Sequence, residues 1–214
     1  MDDGTVLLAH LGMSGRLVLG PDRASPARPA HEHIVFEIEG GDVLSFQDQR
    51  RFGLMALAAE GELDRHPLLR KLGPEPLSQT FDGNLLRSLL GGKRTSIKAA
   101  LLDQRVVAGL GNIYACEILH RAGVSPRRLA GAIGRKRVDR LARAVGDVLK
   151  EAIEAGGSSL RDYVQVSGEL GYFQNHWAVY GREGEPCPRP GCARPIRRIV
   201  QSNRSTFYCA RCQR

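Results

Sequence analysis

Four of the chain's five cysteines fall near its end, spaced as Cys187-x4-Cys192-x16-Cys209-x2-Cys212. Two close pairs of soft thiolates, each delivered by a tight turn, suit one tetrahedral Zn²⁺. The interval between the pairs has room for a β-hairpin, with PIRRIV running out, QSNR turning and STFYC returning. So short a module holds too little apolar material to fold alone, and metal binding would supply the missing free energy. Two disulfides are the alternative. They are disfavoured in the expected compartment, a reducing bacterial-type cytoplasm, where clustered cysteines bind metal more often than one another. That expectation rests on the opening Met1-Asp2-Asp3, which no apolar signal segment follows, and on the lack of any long apolar run in the sequence. The fifth cysteine, Cys116, sits in a helical pattern and reads as a small core residue.

Charge separates this module from the rest. The formal net charge is +8, and residues 187–214 carry seven arginines and no carboxylate. The remainder holds 24 basic and 23 acidic residues and is nearly neutral. Four thiolates on Zn²⁺ leave a local charge of about −2, so the module stays near +5. A basic tail on a neutral body points to a polyanion partner. Arg204, at the expected hairpin turn, would project furthest.

Before this module the texture changes once. TVLLAHL (5–11) reads as a strand, and HIVFEIEGGDVLSFQD (33–48) as two strands around Gly40-Gly41. LGPEPL (72–77) is a Pro/Gly linker, and helical patterns follow it. DGNLLRSLL is a helix capped by Asp82. VDRLARAVGDVLKEAI sets Val138, Leu141, Ala142, Val145, Val148, Leu149 and Ala152 at helical spacing, with Ile153 one turn after Leu149, and Gly156-Gly157 stop the helix. That stripe reads as core. The fold class is therefore α+β.

RVVAGLGNIYACEILHRAG (105–123) is the other informative segment. Gly109 and Gly111 permit a tight turn, and Asn112 is a suitable cap for a helix starting near Ile113. Such a turn presents free N–H groups and positive dipole to an anion. By itself it also reads as an ordinary helix start, but Lys93, Arg94 and Lys98 lie just upstream.

At this point the residues resemble a known family. LLDQRVVAGLGNIYACEIL is similar to the helix-two-turn-helix signature of the formamidopyrimidine-DNA glycosylase/endonuclease VIII family. HLGMSGRL (10–17), RRFG (50–53), LGPEPL, GYFQNHWAVYGREGEPC and the cysteine hairpin follow the same family in order along essentially the whole chain. The resemblance implies a β-sandwich domain over 1–74 lacking its N-terminal part, a helix-two-turn-helix DNA-binding domain over 75–183, and a zinc-finger β-hairpin over 184–214. The implied activity is base-excision repair: a DNA glycosylase with AP-lyase activity that removes oxidised purines such as 8-oxoguanine and formamidopyrimidines from double-stranded DNA. The family also implies a monomer, associated with the bacterial nucleoid. The alternative is a non-catalytic, zinc-dependent protein that binds duplex or damaged DNA.

Roles carry over residue by residue as expectations. Asn112, Lys93, Arg94, Lys98 and His31 match DNA-contacting positions; His33 is structural, because HEH offers a metal pair without a third ligand nearby. Met13, Arg50 and Phe52 match the three residues that fill the hole left by a flipped nucleotide, where an apolar wedge and a cation replace lost stacking and pairing. Without the resemblance Met13 and Phe52 would read as core. Arg204 matches the hairpin arginine that binds phosphate and donates a proton in δ-elimination. SSLRDYVQVSGELGYF (158–173), with Gly168 and Gly171, matches the loop that closes over the damaged base.

Two departures stand out. The family's nucleophile is the secondary amine of an N-terminal proline, helped by a glutamate and a lysine. None of the three has a counterpart here, and the expectation is a fragment of a longer chain, inactive as it stands, with TVLLAHL left as an apolar strand edge. The first cysteine pair also encloses four residues (CPRPGC) where the family usually has two.

Overall fold

The computed structural model describes residues 3–21, 29–158 and 171–214. The chain divides into two compact units, one of Met1–Arg70 with Ala152–His176, the other of Lys71–Glu151 with Trp177–Arg214. The first unit's opening segment ends at Arg70, and the zinc hairpin shares the second unit with the helices.

In the first unit β1 (Thr5–His10) pairs antiparallel with β5 (Leu54–Ala59), and β4 (Asp42–Asp48) lies between β2 (Gly15–Pro21) and β3 (Glu32–Glu37). The β3–β4 hairpin turns where the two glycines allow it, with φ of 105° at Gly40 and 90° at Gly41. As the central strand, β4 buries Val43, Ser45, Phe46, Gln47 and Asp48. Among the described residues β1 has one partner strand, β5, whose Leu54 and Leu57 are exposed.

The second unit is built on α1 (Gly83–Leu90), α2 (Ile97–Leu102), α3 (Asn112–Ala122) and most of α4 (Arg135–Glu154). Asp82 caps α1 by accepting from Leu85 N–H at 2.7 Å, as its sequence position suggested, and Ser96 caps α2 through Ala99 N–H at 3.3 Å. Gly123, left-handed at φ 68°, closes α3. The α4 stripe Val138, Leu141, Ala142, Val145, Val148 and Ala152 is buried. Ile153 is not part of it: at 64% exposure it lies on the outer side. No described helix is long and apolar enough to cross a membrane.

In the same unit β6 (Arg197–Gln201) and β7 (Arg204–Tyr208) form the C-terminal hairpin. Its turn is tighter than the expected QSNR. Gln201 and Arg204 face each other as strand partners, and only Ser202 (φ 48°) and Asn203 (φ 57°) make the bend. Two positive φ values match the right-handed twist of the strands. Arg204 is thus the first residue of β7 and exposed. Behind the hairpin, Cys116, Val179, Ile196 and Phe207 form one buried cluster with Cys187, Cys192 and Cys209, so Cys116 is the core residue its pattern suggested.

Candidate nucleic-acid interface and metal centre

The metal centre is set by local backbone. Cys187 N–H donates to Arg194 O at 2.8 Å and Cys192 N–H to Arg189 O at 3.0 Å, so the first pair is folded onto itself. Gln213 bridges the second pair to the end of α3, accepting from Cys209 N–H at 2.8 Å and donating to Val124 O at 3.1 Å. The four sulfurs all lie within 4.8 Å of one another, with Cys192–Cys209 at 3.6 Å and Cys187–Cys212 at 4.0 Å. These are not disulfide lengths, and every cysteine is free. Four sulfurs at about 2.3 Å from one tetrahedral zinc stand about 3.8 Å apart, so the residues fit the ion.

The lengthened first turn has a structural use. Arg189, inside CPRPGC, donates from its guanidinium to His120 O, and to Arg121 O at 2.8 Å. Those carbonyls end α3, where a cation is favoured by unpaired acceptors and by the helix dipole. The extra residues therefore dock the metal loop on the helix. His120, buried, points Nε2 at Cys187 Sγ, 3.4 Å away. Burial, assisted by Arg189 and Arg121, holds its pKa down to about 4. With the proton on Nε2 the ring can donate to the sulfur.

Glu117 on α3 fastens the turn that leads into this module. Buried, it accepts from the N–H groups of Ala178 (2.8 Å), Val179 (3.0 Å) and Tyr180 (2.8 Å). Burial raises its pKa against the pull of those three bonds.

The Gly-rich turn and the hairpin meet at one carbonyl. Asn112 Nδ2 donates to Ser205 O at 3.0 Å, and Lys98 Nζ donates to the same oxygen at 3.1 Å and to Thr206 Oγ1 at 2.7 Å. Two expectations change here. Gly111, not Asn112, is the N-cap of α3, and Asn112 is the first helical residue with its side chain turned to β7. Lys98 is 1% exposed and serves as a buried strut rather than an open phosphate contact. Its removal from water lowers its pKa, Cys116 opposes that and Arg204 adds to it. No side-chain cap bond is made at Gly111, the N-cap of α3, and a helix start of this kind is a place where an anion is favoured. Arg204, next to Ser205, is held beside it. Arg94 is exposed and Lys93 half-buried on the loop before α2. Gln104, which sequence reasoning passed over, sets the turn: Oε1 accepts from Gly109 N–H at 2.7 Å and Nε2 donates to Leu110 O at 3.1 Å.

In the first unit Met13, Arg50 and Phe52 are drawn together. Arg50 Nη1 lies 3.6 Å from Met13 Sδ, and its guanidinium carbon sits 4.7 Å from the Phe52 ring centroid. Met13 is 70% and Phe52 57% exposed, so neither is the core residue its type suggests. The cluster stands on a buried carboxylate. Asp48 accepts from Ser14 Oγ at 2.5 Å and Arg50 N–H at 3.2 Å on Oδ1, and from Gly53 N–H at 2.7 Å on Oδ2. The Ser14 bond lowers its pKa most, against desolvation and with help from the loop N–H groups. Gly12 is needed beside it, because φ is 68° and a Cβ would lie 2.8 Å from Phe52 carbonyl carbon. Neither Ser14 nor Asp48 was singled out by sequence; each is legible only through partners distant in the chain.

His31 is exposed at φ 65° and lines a polar pocket of about 140 Å³ with Ser14, Arg16, Gln47 and Asp48. His33 is structural, its Nε2 2.8 Å from Asp48 O. The expected lesion loop falls largely on 159–170, Gly168 included, outside the described residues. Its flanks meet at a bridge between Ser158 and Tyr172.

Three family models match the chain: the formamidopyrimidine-DNA glycosylase N-terminal domain at 1–55, the formamidopyrimidine-DNA glycosylase H2TH domain at 72–164, and the zinc finger found in FPG and IleRS at 184–214. A formamidopyrimidine-DNA glycosylase of Cereibacter sphaeroides is 56% identical over 220 residues, covering 100% of this chain and 78% of the relative. The crystal structure of the MutM (Fpg) protein from Thermus thermophilus superposes with a TM-score of 0.86 at 45% identity, over 98% of this chain and 76% of that one. A Lactococcus lactis FPG mutant in complex with Fapy-dG-containing DNA gives 0.88 at 34% identity, over 99% and 76%.

Proposed function

The chain belongs to the formamidopyrimidine-DNA glycosylase family, and on that premise we propose that it is a base-excision-repair protein acting, as a monomer in the bacterial cytoplasm and nucleoid, on duplex DNA that carries oxidised purines. The family is one of DNA glycosylases, and the zinc ion is structural. The open start of α3 and Arg204 grip backbone phosphates, supported by His31, Lys93 and Arg94. Lys98 and Asn112 hold Ser205, and so orient Arg204, the candidate proton donor for δ-elimination. Met13, Arg50 and Phe52 enter the duplex in place of the extruded nucleotide.

The observation carrying this reading is that last cluster. Two large apolar side chains and a cation stand in water on adjoining loops, seated on a buried carboxylate that serves no other evident end. An exposed wedge of this kind suits an enzyme that must unstack a base.

The test compares binding to a duplex with a single tetrahydrofuran abasic analogue and to the intact duplex. Met13→Ala/Phe52→Ala is expected to cut the preference for the abasic duplex at least tenfold while leaving intact-duplex binding within twofold. Arg204→Ala is expected to weaken both, and to lower the salt slope by about one phosphate contact. Unchanged preference in the double variant would refute the wedge assignment.

A further inference from the structure

The base of the zinc hairpin carries a second group of cations that no role above employs. A cleft of about 540 Å³ is lined by Arg194, Arg197 and Arg211, with Pro195 and Ala210 between them. All three arginines are solvent-accessible. Their neighbour Arg198 is engaged otherwise: Nη1 lies 3.7 Å from Glu183 Oε2, Nε donates to Ser205 Oγ at 3.2 Å, and the guanidinium lies 5.9 Å from the Phe207 ring centroid. Arg211 donates one N–H to Cys192 O at 3.3 Å, which fixes its direction. Among the described residues no ion pair joins Arg194 or Arg197 to a carboxylate, and 187–214 contains no Asp or Glu. The zinc–thiolate centre beside them carries about −2 and offsets part of their charge, but three guanidiniums on one cleft still leave it net positive and attractive to an anion.

This group is distinct from the Arg204 grip. Arg197 pairs with Tyr208 at one end of the hairpin, and Arg204 pairs with Gln201 at the other. Four residues of strand separate them, about 13 Å. Guanidinium forks suit phosphate oxygens better than a lysine's point charge would. The hairpin that presents Arg204 at its turn thus carries a second cationic surface at its base, from Arg197 on β6 and from Arg194 and Arg211 in the segments that flank the two strands.

We propose that the Arg194–Arg197–Arg211 cleft is a second seat for backbone phosphates, engaging DNA away from the nucleotides held by Arg204 and the α3 turn. The proposal rests on the reading of this hairpin as DNA-binding. Its test is the salt dependence of binding to an intact 30-base-pair duplex, measured on the zinc-loaded protein. Arg194→Gln/Arg197→Gln leaves Arg211 at its contact with the metal loop. It is expected to make the log–log slope shallower by about 1.8, two contacts at about 0.9 each. The binding defect at 50 mM salt should then exceed that at 200 mM by about twelvefold. Arg194→Lys/Arg197→Lys, which keeps the charges, should restore most of the slope, and zinc content should be one per chain in both variants.

A slope lowered by Arg204→Ala but not by the glutamine pair would overturn the cleft proposal and leave the functional reading standing. A slope insensitive to both would overturn the two together. If the glutamine pair instead abolishes binding of a polyglutamate peptide with the duplex slope unchanged, the cleft takes an acidic protein segment and the phosphate assignment is wrong. Loss of zinc in the glutamine pair alone would make the arginines part of the metal fold and would also overturn it.

Discussion

Asp48→Asn isolates what a buried carboxylate does for an exposed wedge. The substitution keeps size and removes charge. Asp48 accepts three hydrogen bonds, from Ser14 hydroxyl and Arg50 N–H on one oxygen and Gly53 N–H on the other. An amide can satisfy only one side. With its NH₂ at the Oδ2 position it opposes Gly53 N–H; reversed, it opposes Arg50 N–H, while the Ser14 hydroxyl can turn to accept from it. One bond to a charged acceptor is lost, worth about 1.5–3 kcal/mol, and the survivors become neutral and weaker, for a total near 3 kcal/mol. Asp48 is 1% exposed, so water does not replace the missing partner. Native-state hydrogen exchange reads this directly: Gly53 amide protection should fall roughly 150-fold at about 1.4 kcal/mol per decade. Preference for the abasic duplex should fall with it, because the segment carrying Arg50 and Phe52 is no longer pinned to Ser14. The pH dependence has a defined sign. A carboxylate whose folded pKa is depressed stabilises the fold above its unfolded value, near 3.9, and loses that contribution as pH falls through the lower folded value. The gap between wild type and variant, after correction for intrinsic exchange, should therefore be flat from neutral pH to about pH 5 and close only below about pH 4. Unchanged Gly53 protection in the variant, or a gap that closes near neutrality, would refute the reasoning.

Three further outcomes follow from the same structure. Stripping zinc with a chelator, or Cys192→Ser, should unfold the β6–β7 hairpin and abolish intact-duplex binding, while circular dichroism retains the α4 helix signal; metal readdition should restore binding after chelation. Glu117→Ala leaves the N–H groups of Ala178, Val179 and Tyr180 without an acceptor and should cost about 3 kcal/mol in denaturant unfolding, with Glu117→Gln intermediate. Borohydride treatment of residues 1–214 on an 8-oxoguanine duplex should trap no covalent adduct, since the Lys98 amine is buried and bonded to Ser205 and Thr206; a trapped complex, located by peptide mapping, would identify another amine as nucleophile.

Features whose causes lie within a few residues were legible from the chain itself. The Asp82 cap, the Gly40-Gly41 hairpin and the paired cysteines needed only nearest neighbours and spacing. Where a partner lay far along the chain, residue type misled. Lys98 looked like a phosphate contact because lysines usually are, but its partners come from β7. Asn112 looked like a cap because asparagines often are, yet it is the first helical residue, its side-chain NH₂ donates to Ser205 O and its Oδ1 accepts from no helix N–H. Met13 and Phe52 looked like core on composition alone, and are exposed because Asp48 fixes their loops at the surface.

The sequence by itself determined the metal and its ligands, the basic character of the tail, the α+β class and, through ordered motifs, the family. These depend on residue chemistry and short-range geometry, which linear order preserves. Only the tertiary structure decided which cations are free to meet a phosphate and which are spent inside the protein. It also showed that the zinc hairpin and the GLGN turn are joined through Ser205, and that one buried carboxylate holds the loops bearing Met13, Arg50 and Phe52. Those outcomes depend on which distant donors reach the same acceptor, and desolvation makes each such choice worth kilocalories that no local pattern records.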